Sequence, residues 1–479
     1  MKAVYLYLPM EIAVREFDSR LLIALIAVEN GMEVIMGQKW LMEKNIEAMP
    51  PGLWIFKTMT KRDSKRMARC KAAGHTVASI DEEVPATAEG SGELLWVSDE
   101  AVRLCDRIFC LGEEHRKSLV GKWPATADKL LITGNPRWDY LRQELSPLYA
   151  AKAREYNDRF GRIILMNTNN GSVNPEKKNA EDVFKDYVKA KKIDPNNAQH
   201  MALWNDFIAF EQANFAATVP LARELAAAFP KHTLILRPHP GERLATYAEQ
   251  LSDLANVKVL FEGSAAPWIM ASDVMVHTGC TTGIEAFAMG KPCINFESLP
   301  SRLNKVLLST RLGFTARTVN DVVAEARRIV DCGPDGSPYP IATTETFRRF
   351  FSAQSGPLAA ERVVDAARQL LGGTSSHHAG IAQWHPRWTY KTWWPSKSYN
   401  RKMFPPIDTD ALGVRLNALA AVLKKPSRPA FVTCGDSMVH LFPAHLKAPK
   451  PVGTLPARLI GQFLFSKVKA EHRTGSGHD

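Results

Sequence analysis

The 479-residue chain contains no stretch of ~18 consecutive apolar residues, which argues against a hydrophobic membrane-spanning helix. Its seven cysteines are scattered, with no C-x-x-C pair and no Cys/His metal spacing. That pattern excludes a disulfide framework and suits reduced, mostly buried thiols. Neither G-x-x-x-x-G-K-[ST] nor a G-x-G-x-x-G between first strand and first helix is present, which argues against a P-loop NTPase and an NAD-dependent dehydrogenase. No internal repeat is visible. The opening "MKAVYLYLPMEIAVREFD" has too short an apolar run, and meets charge too early, for a signal peptide. A cytoplasmic protein is expected.

Acidic residues are scarce in one region. Residues 372–479 carry 15 Lys+Arg against 5 Asp+Glu, so a net charge of +10 out of the chain's +11 sits there. The remainder is close to neutral. A basic tail on a neutral body suggests an anionic partner, nucleic acid or an acidic membrane surface, or else a solvated extension.

What is present is an alternation. "AVYLYL" (3–8) reads as a strand and "SRLLIALIAVENG" (19–31) as a helix, with Asp18 or Ser19 as cap and Gly31 as stop. "EVIMG", "LWIF", "HTVASI", "RIFCLG" and "KLLITG" follow as short β-rich runs with helical stretches between most of them. A second series starts at "RIILMN" (162–167) and continues through a long helical stretch over 201–229 to "TLILRPH", "VKVLF", "DVMVHTG" and "KPCINF". Strands alternating with helices predict parallel βαβ units and sheets covered on both faces. Two such units make two lobes with a cleft between them: 1–158, then 159–371, followed by a basic, tryptophan-rich extension, 372–479. The polar segment 170–200 is expected to be a mobile loop or a helical insertion near the cleft. "DTD" (408–410) opens an amphipathic helix, with Asp410 expected as cap rather than as metal ligand.

Ligands of open α/β sheets bind outside the carboxyl ends of the strands. The first strand exits into "PMEIAVREFDSR", which places Arg15, Glu16, Asp18 and Arg20 beside the expected cleft. Charges of both signs so close together form either a capping network or a site in which Glu16 or Asp18 serves as general base. In the second unit, "HTLILRPHPGER" ends a strand with Arg237 and His239. Arg237 can pair with a phosphate, and His239 can donate a hydrogen bond to it or protonate a leaving oxygen, with Pro238 and Pro240 stiffening the turn. An ordinary His-Pro turn is the plainer reading. The next junction, "SDVMVHTGCTTGIEAFAMGKP", runs from a strand into a small-residue loop and a helix at about Thr281. This is either a tight turn with capping threonines or an anion site, with Glu285 one helical turn further on near a ribose.

Taken together, "YLPMEIAVREFDSRLLIALIAVENGMEVIMG", "LGEEHRKSL", "ITGNPRWDYL", "LRPHPGE" and "SDVMVHTGCTTGIEAFAMGKPCINF" resemble the bacterial surface carbohydrate biosynthesis proteins over residues 1–370. That family is similar to GT-B glycosyltransferases with two facing Rossmann-like lobes, and more distantly to transferases using cytidine-activated donors. The resemblance implies a metal-independent glycosyltransferase that moves a sugar from a nucleotide donor, CMP-linked, as with Kdo or a related acidic sugar, to a surface polysaccharide or lipid-linked acceptor. The donor is a co-substrate, and no cofactor or metal is expected. It implies phosphate contacts from Arg237, His239, Thr281 and Thr282, with His277, Thr278 and Gly279 in the nucleotide site and Glu285 near the ribose. Glu16 or Asp18 is then the base, and Arg15, Arg20, Asn135 and Arg137 contact acceptor or phosphate. The departure is "HTGCTTG", where the bacterial sialyltransferases, one group of those cytidine-donor transferases, carry a shorter serine pair. Two alternatives share the site: phosphotransfer from a CDP-alcohol such as CDP-glycerol, and sugar-nucleotide binding without turnover in an envelope assembly complex. For residues 384–479, "WHPRWTYKTWWP" and "LPARLIGQFLFSKVKAEHR" (455–473) suggest peripheral attachment to the anionic inner membrane rather than nucleic-acid binding.

Overall fold

The computed structural model describes residues 4–82, 97–176, 179–189, 193–332, 345–372, 401, 403–425, 429–434 and 436–446. Two sheets organise it. The first contains β1 (Tyr5–Met10), β2 (Glu33–Gln38), β3 (Gly52–Phe56), β4 (Thr76–Ile80), β5 (Arg107–Cys110) and β6 (Leu130–Ile132), all parallel. The second contains β7 (Arg162–Asn167), β8 (His232–Arg237), β9 (Val257–Val259), β10 (Ser272–His277), β11 (Cys293–Phe296) and β12 (Phe314–Ala316), also parallel. Continuous apolar runs such as "LYLPM" and "IILM" are what parallel strands buried on both faces require, and β1, β2 and β7 are buried almost throughout.

The strand order of the second sheet, β12-β11-β10-β7-β8-β9, is the Rossmann order, with its reversal between β7 and β10. In the first, β2-β1-β3-β4-β5-β6 reverses between β1 and β3. The fold is α/β and GT-B-like, with two Rossmann-like lobes, and each reversal opens a crevice at the carboxyl edge of its sheet.

Both ends of the chain build the first lobe, so its boundaries differ from the expected ones. The helix Ala359–Leu370, expected within the second lobe, packs its Ala360, Val363, Val364 and Ala367 into the core around the helix Ala13–Glu29. Asp139 captures the start of that returning helix, its two carboxylate oxygens accepting the Ala359 and Ala360 N–H groups at 2.9 Å each. Beyond it, the helix Thr409–Val422 buries Leu412, Leu416 and Leu419 in the same core. The hairpin β13 (Ala430–Thr433) and β14 (Met438–Phe442) then adds antiparallel strands to the β2 edge. The expected extension 372–479 therefore contributes structural elements to the first lobe. Its aromatic-basic cluster 384–395 and the segment 455–473 lie outside the described residues. Asp408, not Asp410, caps the helix, its Oδ1 accepting from the Asp410 and Ala411 N–H groups. In the polar segment 170–200 the structure contains a helix, Ala180–Lys189. Among the described residues no helix is long and apolar enough to cross a membrane.

Candidate active site

A cavity of about 980 Å³ separates the lobes at the carboxyl edges of both sheets. Arg15, Asp18 and Glu82 line it from the first lobe, with Arg137 at the junction. Asn167, Thr168, Arg237, His239, Thr281, Thr282 and Glu285 line it from the second. The exits of β8 and β10 thus converge on one space, as the sequence motifs implied.

Arg237 is the last residue of β8 and is 6% exposed. One Nη donates to the Gly263 carbonyl at 2.6 Å, and the guanidinium stacks over Phe261 at 4.3 Å. Among the described residues its Nε has no hydrogen-bond partner and no carboxylate bonds it. A buried cation hydrogen-bonded only to a carbonyl, with Glu285 acting on it through space without bonding it, leaves room for a further anion.

His239 follows in an exposed turn. Its Nδ1 accepts from the Gly241 N–H at 3.1 Å, so the neutral ring carries its proton on Nε2 and can donate from there. Its withdrawal from bulk water, then the charges of Arg15 and Arg237, push its pKa down, an effect tempered by the solvent of the open cleft. The turn itself is held by Glu242, which is 1% exposed. Glu242 Oε1 accepts from the His239 N–H (2.9 Å) and the Thr168 hydroxyl (2.8 Å), and Oε2 accepts from the Tyr247 hydroxyl (2.5 Å).

After β10 the chain turns sharply at Gly279 (φ +79°) and enters the helix Thr282–Ala288. Thr281 is exposed to the cavity. The Thr282 hydroxyl accepts from Asn167 Nδ2 at 2.9 Å and donates to Cys280 Sγ, tying the ends of β7 and β10 together. Three residues expected here face elsewhere. His277 is fully buried beneath the helix, where a Cβ on Gly283 would come within 2.3 Å of its Nε2, and burial pushes its pKa down to about 4. Thr278 presents its carbonyl to Asn214, and the Gly279 carbonyl accepts from Ser309. His277, Thr278 and Gly279 therefore shape the turn and do not line the cavity.

The first lobe sorts its charged residues in the same way. The helix expected from Ser19 begins at Ala13, and Ile12 at its cap position makes no side-chain bond. Glu16 supplies that function instead, accepting from the Glu11 and Ile12 N–H groups at 2.9 and 3.3 Å and from Lys57 Nζ at 2.9 Å. At 1% exposure and fully engaged, it does not face the cavity, which removes it as a base. Asp18, one turn into the helix, does face the cavity; its carboxylate bonds Arg415 at 3.0 Å. The protein around it raises its pKa and Arg415 opposes that rise.

Arg20 and Asn135 are also buried, held together by Glu82 through contacts of 3.3 and 3.4 Å. They are scaffold, not acceptor contacts. The same glutamate's carbonyl accepts from Arg15 at 3.0 Å, which aims that guanidinium along the cleft. Arg137 reaches across the lobes to Glu285 at 2.5 Å, so one Glu285 oxygen is already engaged. Sequence reasoning missed Glu82, Asn167, Thr168, Glu242 and Arg415. Only Glu242 carried a local signal, as the carboxylate closing "HPGE".

No protein-family model matches the chain, and no curated protein does either. Among solved structures it is similar to the UDP-GlcNAc 2-epimerase of Methanocaldococcus jannaschii in complex with UDP-GlcNAc and UDP: 12% identity over 77% of this chain and 100% of that one, TM-score 0.47. The UDP-GlcNAc 2-epimerase of Neisseria meningitidis bound to UDP-GlcNAc gives 12% over 77% and 100%, TM-score 0.46. A variant of the wall teichoic acid polymerase TagF gives 11% over 78% and 89%, TM-score 0.42.

Proposed function

We propose that the cleft binds a nucleotide-activated sugar, CMP-linked, and transfers the glycosyl group to a hydroxyl of a bacterial surface polysaccharide or lipid-linked acceptor. The observation that carries this reading is Arg237, a buried cation that no carboxylate bonds among the described residues, opening on the same cavity as His239, Thr281, Thr282 and Asp18. The nucleotide phosphate lies against the Arg237 guanidinium and the His239 Nε2–H. Asp18 takes the proton of the acceptor hydroxyl, whose oxygen bonds the anomeric carbon as the bond from that carbon to the phosphate oxygen breaks. The phosphate leaves with its charge held by Arg237 and His239. A bound phosphate offsets the cationic influence of Arg15 and Arg237 on His239 and raises its pKa, which strengthens the donor it contributes.

Calorimetry with CMP, CDP, UDP and GDP tests the proposal. A charge-assisted hydrogen bond is worth about 1.5–3 kcal/mol, so Arg237→Ala should weaken the preferred nucleotide by roughly 10- to 150-fold. No binding of any of the four, or equal binding by an Arg237→Ala/His239→Ala variant, removes the basis of the assignment. Mass spectrometry of the product separates transfer of a sugar from transfer of an alcohol phosphate by the mass added.

A further inference from the structure

Arg415 lies 397 residues from Asp18 in sequence, yet it forms part of the cavity wall with Met403, Ala418 and Leu419. Its helix, Thr409–Val422, is fixed at both ends: Asp408 caps the start, and Lys425 just past the end pairs with Glu29 at 3.2 Å. Leu412, Leu416 and Leu419 anchor the helix in the first-lobe core beside Arg415, and β14 completes the anchorage along β2. On this rigid base Arg415 Nη1 donates to Asp18 Oδ1 at 3.0 Å, with its Cζ 5.4 Å from the Phe17 ring.

Stability does not account for the pair. The side chains are 53% and 48% exposed, and such pairs contribute little after the entropy of fixing two side chains is included. Its placement does account for it: it orients the one acidic residue of the first-lobe motif that faces the cavity.

We propose that Arg415 is a positioning residue for Asp18, so that the C-terminal segment completes the catalytic cleft. The inference rests on Asp18 being the base. Among the described residues two groups face Asp18: Arg415 from the C-terminal helix, and the partly buried Tyr140 from the turn after Pro136–Asp139. Arg415 favours the carboxylate; the surrounding protein disfavours it. Removing the guanidinium therefore moves Asp18 titration to higher pH and frees its carboxylate to rotate.

The test uses the full chain. Difference infrared titration, with the Asp18 band assigned by its loss in Asp18→Asn, reads ionisation without substrate. Nucleotide release from CMP-N-acetylneuraminic acid, CDP-glycerol or UDP-GlcNAc, whichever binds, reads turnover. Arg415→Ala should titrate at higher pH than the unaltered chain. It should release nucleotide up to about 5-fold more slowly at neutral pH, with a larger deficit in acid and an unchanged Kd for the nucleotide. Arg415→Lys should return the titration toward its original position. An unmoved Asp18 band, an unchanged rate, or a loss of nucleotide binding in proportion to the rate overturns the proposal, the last in favour of a merely structural role. A fully active Asp18→Asn chain would instead sink the assignment of the base itself.

Discussion

Replacing Glu242 by alanine should disable the donor side of the cleft without touching a residue expected to contact substrate. At 1% exposure the carboxylate is the shared acceptor for the His239 N–H, the Thr168 hydroxyl and the Tyr247 hydroxyl, at 2.9, 2.8 and 2.5 Å. Alanine leaves these donors facing a void. Each buried donor without an acceptor costs about 1–3 kcal/mol, and water entering the vacated space recovers part of the sum. A net loss of about 3 kcal/mol follows, or about 6–12 °C in Tm for a lobe of this size. Glutamine keeps one acceptor oxygen, and Tyr247 can rotate to accept from its amide, so Glu242→Gln should lose roughly 1 kcal/mol. Thermal melts followed by nucleotide calorimetry on the folded variants are the assay. Because His239 and Thr168 hang on the same oxygen, binding should weaken in both variants at temperatures where each remains folded. An alanine variant that melts within about 2 °C of the unaltered chain and binds nucleotide normally refutes the reasoning.

Glu211 offers a pH signature. Burial first, then the neighbouring Glu242, pushes its pKa up to about 8, against the bonds it accepts from Ser172. A carboxyl raised in the fold binds its proton more tightly folded than unfolded, so stability falls as pH rises from about 4.5 toward 8. Glu211→Gln should flatten that decline, with its advantage in Tm largest at pH 8 and small at pH 5; parallel curves would contradict this. Removal of residues 447–479 should leave the first-lobe core intact, because Leu412, Leu416, Leu419 and Leu441 all precede the cut. If the basic tail attaches the protein to anionic membranes, that truncation should reduce salt-sensitive co-sedimentation with anionic vesicles, and unchanged co-sedimentation argues against the tail's role. Truncation at 372 is a poor substitute, since it strips Phe404 and the rest of that core as well.

The fold was legible because its signals are local. The strands β1 to β11 are short apolar runs bounded by turn residues, and buried parallel strands tolerate little else, whereas the three-residue β12 and the antiparallel hairpin β13–β14 carried no such signal. Arg237, His239 and Thr281 were legible for a related reason: strand ends in this architecture face the ligand crevice. What the sequence could not separate was which of several neighbouring polar residues turns outward. Glu16 and Asp18 differ by two positions, about 200° around a helix, and that rotation sends one to Lys57 and the backbone and the other to the cleft. His277 and Thr281 flank a turn at Gly279, and the close approach of Gly283 decides that the histidine lies beneath it. The third loss was long-range. No periodicity near residue 415 reveals that its helix docks on the helix Ala13–Glu29, because that pairing depends on tertiary burial of Leu412, Leu416 and Leu419.

The account stands on a nucleotide phosphate seated between the exits of β8 and β10. A crystal structure of the full chain with a bound cytidine nucleotide measures that directly. The phosphate should lie within hydrogen-bonding distance of the Arg237 guanidinium and His239 Nε2, beside the Thr281 and Thr282 hydroxyls. A phosphate resting elsewhere in the cleft, with Arg237 still bound only to the Gly263 carbonyl, would contradict it.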